Sequence, residues 1–116
     1  MFNIGGVLEI HFKDKKLREI CEKRAVAEKK LGAASARKLQ TRLDDLDAAV
    51  RVTDLVAGNP HPLKGDRHGQ FAVDLSGGWR LVFTPRHDPC PVKDDLSIDW
   101  SRVIIISIEF IGDYHD

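Results

Sequence analysis

Two segments of this chain concentrate side chains that can move protons or neutralise anionic charge. One is His61-Pro62-Leu63-Lys64-Gly65-Asp66-Arg67, and the other is Asp113-Tyr114-His115 at the end of the sequence. Between them, Arg80 opens a candidate strand. Histidine titrates nearest to neutral pH, so two imidazoles can act as acid and base without a metal. Fixed guanidinium and ammonium groups can offset the charge that builds on a phosphorane-like transition state. Together these residue types suit metal-free cleavage of a phosphodiester.

Such groups must be carried by elements that hold them together. Val7 to Phe12 alternates loosely and reads as a short strand. Lys13 to Leu31 is charge-rich, with Leu17, Ile20, Cys21, Ala25 and Leu31 as an imperfect apolar stripe, and reads as one amphipathic helix stopped by Gly32. Ser35 is expected to cap a second helix whose apolar positions are Ala36, Leu39, Leu43, Leu46 and Val50. Arg37, Lys38, Arg42, Asp44 and Asp45 are expected around that stripe. Gly58 and Asn59-Pro60 are expected to end the helix.

From there the period becomes two. Phe71, Val73 and Leu75 alternate with polar or small residues, Ser76-Gly77-Gly78 turns, and Trp79, Leu81 and Phe83 alternate in their turn. This is a β-hairpin with one apolar face. If that face meets the helices, Arg80 points away from them, with Gln70, Asp74 and Thr84 on the same side. A cross-strand pair between Arg80 and Asp74 is the bland alternative to a substrate role. Pro85 to Ser101 reads as a long Pro/Asp-rich loop. Arg102 to Ile111 is the strongest strand, with Ile104, Ile106, Ile108 and Phe110 on one side and Val103, Ile105, Ser107, Glu109 and Ile111 on the other. Its apolar start places it inside a sheet. The order β-α-α-β-β-β predicts an α+β fold, a helical hairpin covering one face of a small antiparallel-rich sheet.

The chain has 116 residues, 42% of them hydrophobic, which fits one domain over residues 1–116. Eighteen basic and eighteen acidic residues balance. A neutral chain does not advertise nucleic-acid binding, so an RNA substrate would need a local basic patch. Cys21 and Cys90 form neither a metal pair nor a disulfide framework, and reduced thiols in the cytoplasm are the expectation. His68, His87, Cys90 and the aspartates near residue 94 are too irregularly spaced to read as a metal site. His11 reads as a packed or edge residue. No signal peptide is indicated, and no window reaches the run of about 18 apolar residues needed to cross a bilayer.

Taken in order, the His61–Arg67 segment, the hairpin Gly69-Gln70-Phe71 … Gly78-Trp79-Arg80-Leu81-Val82-Phe83, and Asp113-Tyr114-His115 resemble the HigB branch of the RelE/ParE superfamily, the toxins of type II toxin–antitoxin pairs. The resemblance covers nearly the whole chain. It implies a RelE-like fold and a ribosome-dependent endoribonuclease that cuts mRNA in the ribosomal A site. It also implies a HigA-type helix-turn-helix antitoxin as partner, no cofactor, and no membrane association. Two departures are the long, charged first helical region and the extended Pro85–Ser101 segment. A ParE-like gyrase poison, or an inactive RelE-fold binding module acting with its antitoxin, is the alternative.

The resemblance also assigns roles. His115 would transfer a proton or position the attacking 2′-hydroxyl, and His61 would be the second half of an acid/base pair. Asp113 would orient the imidazole or accept a hydroxyl proton. Tyr114 would stack on a base or hydrogen-bond a phosphate. Arg80 would pair with phosphate oxygens through its guanidinium fork. Lys64, Arg67 and His68, around a glycine-containing loop, would face the RNA.

Overall fold

The computed structural model describes residues 8–113, so Val7, Tyr114 and His115 lie outside the described residues. The elements run β1 (Glu9–Phe12), α1 (Lys15–Glu22), α2 (Arg24–Leu31), α3 (Ala33–Ala48), β2 (His61–Pro62), β3 (Phe71–Asp74), β4 (Trp79–Pro85) and β5 (Ile105–Asp113). The sheet order is β1-β5-β4-β3-β2. β1 runs parallel to β5 and every other pairing is antiparallel. The expected α+β architecture is present, and β5 is interior, between β1 and β4.

The helical layer departs from expectation in three places. The first helix is two, because Lys23 is extended and breaks the run. The two halves bury different partners: α1 lies on β1 and β5, while α2 lies on α3. Ala27 is the buried alanine of α2, and Ala25 is exposed. Asp14 caps α1 by accepting the amide of Leu17 at 2.9 Å. Gly32, not Ser35, begins α3. Ser35 is buried and its hydroxyl donates to the carbonyl of Ser76 in the β3–β4 turn at 3.1 Å. Finally, α3 stops at Ala48, ten residues before Gly58, and a short 3-10 turn at Val52–Asp54 follows. Val50 is consequently on the surface, 44% exposed.

Leu39, Leu43 and Leu46 of α3 meet Leu8, Ile10, Phe71, Val73, Leu81, Phe83, Ile106 and Ile108 in one core. Burial removes each of these side chains from water, which stabilises the fold by about 1.5–3 kcal/mol per large side chain. Cys21 belongs to this core, and burial pushes its thiol up to about 12. It is an inert structural thiol.

Arg42 is the main surprise in α3. It was expected on the solvent face, yet it is 8% exposed. Its Nη1 donates to Asp45 at 2.8 Å and its Nε to the carbonyl of Asp74 at 3.2 Å. A buried guanidinium is tolerable when its donors are paired in this way. Gly58 is pinned here too: a Cβ on it would fall 2.6 Å from Arg42 Nε.

The Pro85–Ser101 segment is ordered by its own contacts. Val92 and Ile98 bridge, Arg102 reaches the carbonyl of Val92 at 2.9 Å, and Trp100 packs against Phe71 with ring centroids 4.9 Å apart. Nε2 of His87 accepts the amides of Ile104 and Ile105 at 3.1 and 3.2 Å, tying the segment to the start of β5. The strongest strand therefore begins at Ile105, three residues later than expected, because a 3-10 turn at Trp100–Arg102 precedes it.

Candidate functional site

The sheet has one face on the helices and one away from them. Residues opposite each other in a ladder share a face, so the outer face can be read from the register. His61 pairs with Ala72, Ala72 with Val82, and Val82 with Phe110, giving one row across four strands. The adjacent row is Asp74, Arg80 and Gly112. On the other flank, Thr84 pairs with Ser107 and Ser107 with His11.

Arg80 is where the alternation placed it, on the outer face. Its Nε donates to Asp74 Oδ1 at 3.0 Å, and the two side chains are 30% and 37% exposed. The expected cross-strand pair is therefore present. Such a half-exposed pair contributes on the order of 0.2–1 kcal/mol, so it orients the guanidinium more than it stabilises the fold. Asp74 is held in turn by Arg42 at its carbonyl and by the carbonyl of Gly58, which accepts its amide at 2.7 Å.

His61 forms the two-residue edge strand β2. Its Nδ1 lies 2.7 Å from the carbonyl of Asn59. A carbonyl can only accept, so Nδ1 carries the hydrogen and the neutral ring keeps its lone pair on Nε2. That tautomer is the one suited to accept a proton. Register places His61 two strands from Arg80 and one row away, about 10 Å across and 7 Å along the sheet.

Lys64 is exposed at the start of a 3-10 turn, Gly65–Arg67. Arg67 lies on the outer face, its guanidinium carbon 4.6 Å above the ring of Phe110, with Nη1 donating to Gln70 Oε1 at 3.2 Å. His68 is exposed and lines a groove of about 210 Å³ with Lys93, Ser97, Ile98 and Trp100. Pro62 and Leu63, which follow His61 in the chain, line the same groove.

Asp113 is the last described residue. It pairs with Trp79, and its carboxylate lies beside the Gly78 turn. Gly112 is directly opposite Arg80, so the end of β5 lies beside the Arg80 row. Tyr114 and His115 themselves lie outside the described residues.

His11 lies on the edge strand β1, as expected, and pairs with Glu9 on the outer face. Phe110 was assigned to the same side as Ile106 and Ile108, and this is wrong. The register shifts between Val82 and Phe83, so Glu109 is an extra residue and Phe110 turns outward. Ile111 takes the helix-facing position and packs on the core. Gly112 inside the strand was the available signal, since an isolated glycine there often marks a bulge. Among the described residues, no group of three or more His, Cys, Asp or Glu side chains could hold a metal ion, and no helix is long and apolar enough to cross a membrane.

Two solved structures share the fold. One is the YoeB–YefM complex from Staphylococcus aureus, 19% identical, with a TM-score of 0.53 over 94% of this chain and 98% of that chain. The other is the YoeB dimer from the same organism, also 19% identical, with a TM-score of 0.54 over the same shares. The class is thus the RelE-like toxin fold. No family model matches the chain. A curated relative, Endoribonuclease HigB of Proteus vulgaris, is 31% identical over 74 residues, which is 62% of this chain and 78% of that protein. The chain belongs to the HigB family of the RelE superfamily.

Proposed function

We propose that this chain is the toxin of a type II toxin–antitoxin pair, a cytoplasmic endoribonuclease that cleaves mRNA in the ribosomal A site and so stops protein synthesis. The relative named Endoribonuclease HigB supports the activity. The observation that carries the reading is on the sheet: Arg80, His61 and the end of β5 share one outer face, with Arg80 opposite Gly112. That YoeB is seen in complex with YefM supports a protein partner for the fold, and a HigA-type antitoxin is the partner proposed.

In this mechanism the 2′-hydroxyl attacks the adjacent phosphorus and the 5′-oxygen leaves, giving a 2′,3′-cyclic phosphate and a 5′-hydroxyl. One imidazole removes the 2′-hydroxyl proton and the other protonates the leaving oxygen. His115 and His61 fill these roles, and His61 is in the tautomer that accepts at Nε2. Asp113 orients the terminal imidazole and Tyr114 holds a base or a phosphate oxygen. Arg80, with Lys64, Arg67 and His68 toward the flanking backbone, offsets the charge that builds on the phosphoryl oxygens.

Induced expression should arrest translation, with new 5′-hydroxyl ends in translated messages by primer extension, and His115→Ala at equal protein level should abolish both. Full toxicity in that variant would remove His115 from the mechanism. DNA breaks without cut transcripts would instead favour the gyrase-poison reading.

A further inference from the structure

Phe110 places a phenyl ring on the outer face. The bulge at Glu109 is what puts it there: Val82 pairs with Phe110 and Phe83 with Ile108. Its ring rests on a small cluster of Leu63, Ala72 and Val82, separate from the main core. It does not stand upright from the sheet. A Cβ on Gly112 would fall 2.7 Å from the ring's Cζ, so the ring lies along β5 over Gly112, toward the row that holds Arg80. Arg67 covers it at 4.6 Å and is held in place by Gln70. Both Phe110 and Arg67 are only half-buried.

We propose that Phe110 and Arg67 form a stacking surface for one unpaired nucleobase beside Arg80, and that Phe110 is a substrate-positioning residue. The inference rests on the RNA-cleaving function proposed above. A guanidinium held over an aromatic ring joins a planar cation to a π-surface, a combination on which a base stacks, and its charge can serve the flanking phosphates. A bulge that turns an aromatic out of the core, kept possible by a glycine with no Cβ, gives up core burial at that position. A stacked base next to Arg80 sets which phosphodiester lies under the guanidinium. The surface is tolerant of base identity, because every base has a π-face.

The test uses the full chain and a short single-stranded RNA with one 2-aminopurine and a 2′-O-methyl group at the cut site. Stacking quenches 2-aminopurine. Wild type and Phe110→Tyr should quench it and bind alike. Phe110→Leu, which keeps the apolar cluster filled, should lose the quench and bind roughly ten- to a hundredfold more weakly. Arg67→Lys, which keeps the charge and loses the plane, should fall between them. Cleavage of a translated message should show the same order, with the loss mainly in KM. Wild-type quenching and cleavage in both Phe110→Leu and Arg67→Lys would overturn the proposal. Should Phe110→Leu melt early, Gly112→Ala, which displaces the ring without removing it, decides the matter: an unchanged quench overturns it. Failure of wild type to cut any transcript would instead refute the endoribonuclease reading.

Discussion

At the scale of single residues, Arg80 shows how a side chain is set by its neighbours. Asp74 holds its Nε, and Arg42 and Gly58 hold the backbone of Asp74. The guanidinium is therefore oriented before any anion arrives, the condition under which a donor acts most strongly on a transition state. Arg80→Ala should lower single-turnover cleavage by about 10²–10³-fold, as loss of one preorganised donor does. The thermal midpoint should barely move, because the Arg80–Asp74 pair is half-exposed. Arg80→Lys should recover only part of the rate, since an ammonium cannot hold a phosphate with two parallel hydrogen bonds. A rate close to wild type in Arg80→Ala would take Arg80 out of the site.

At the scale of elements, α3 does two jobs. Its leucines fill the core, and its buried Arg42 ties the helix to the end of β3. The sheet face that carries Arg80 is thereby fixed relative to the helical layer. Arg42→Ala should cost about 1–3 kcal/mol, because it removes a buried guanidinium and leaves the part-buried carbonyl of Asp74 without that donor. Urea unfolding should show this as a lower midpoint at an unchanged slope. A midpoint equal to wild type would mean that water replaces the guanidinium. The bulge in β5 is the second element-scale device, since one extra residue moves Phe110 from core to surface and Ile111 from surface to core.

At the scale of the whole molecule, neutrality hides a division of charge. Residues 1–43 carry eleven basic and five acidic side chains, and residues 44–116 carry seven and thirteen. The surplus of cations lies on α1, α2 and the start of α3, the layer behind the sheet. Long-range attraction to a polyanion depends on such local surpluses rather than on net charge. Replacing the exposed Lys29 and Lys30 by glutamate should slow association with ribosomes at low salt and flatten its salt dependence, with single-turnover cleavage unchanged. Stopped-flow association at two ionic strengths checks this, and identical rates would show that the helical layer does not face the RNA.

Much of this was determined by sequence alone. Strict alternation in β3 and β4 fixed which side chains meet the helices, because consecutive residues of a strand point to opposite faces. That placed Arg80 outward and paired it with Asp74. The spacing of Leu39, Leu43 and Leu46 likewise identified the face of α3 that is buried. Other features depended on contacts between distant segments, which no local period encodes. The Lys23 break follows from α1 and α2 finding different surfaces. Arg42 is buried because the carbonyl of Asp74, 32 residues away, meets its Nε. Phe110 faces outward because β5 must stay in register with β4 on both sides of Glu109; Gly112 hints at a bulge, and the paired strand identifies which residue is surplus.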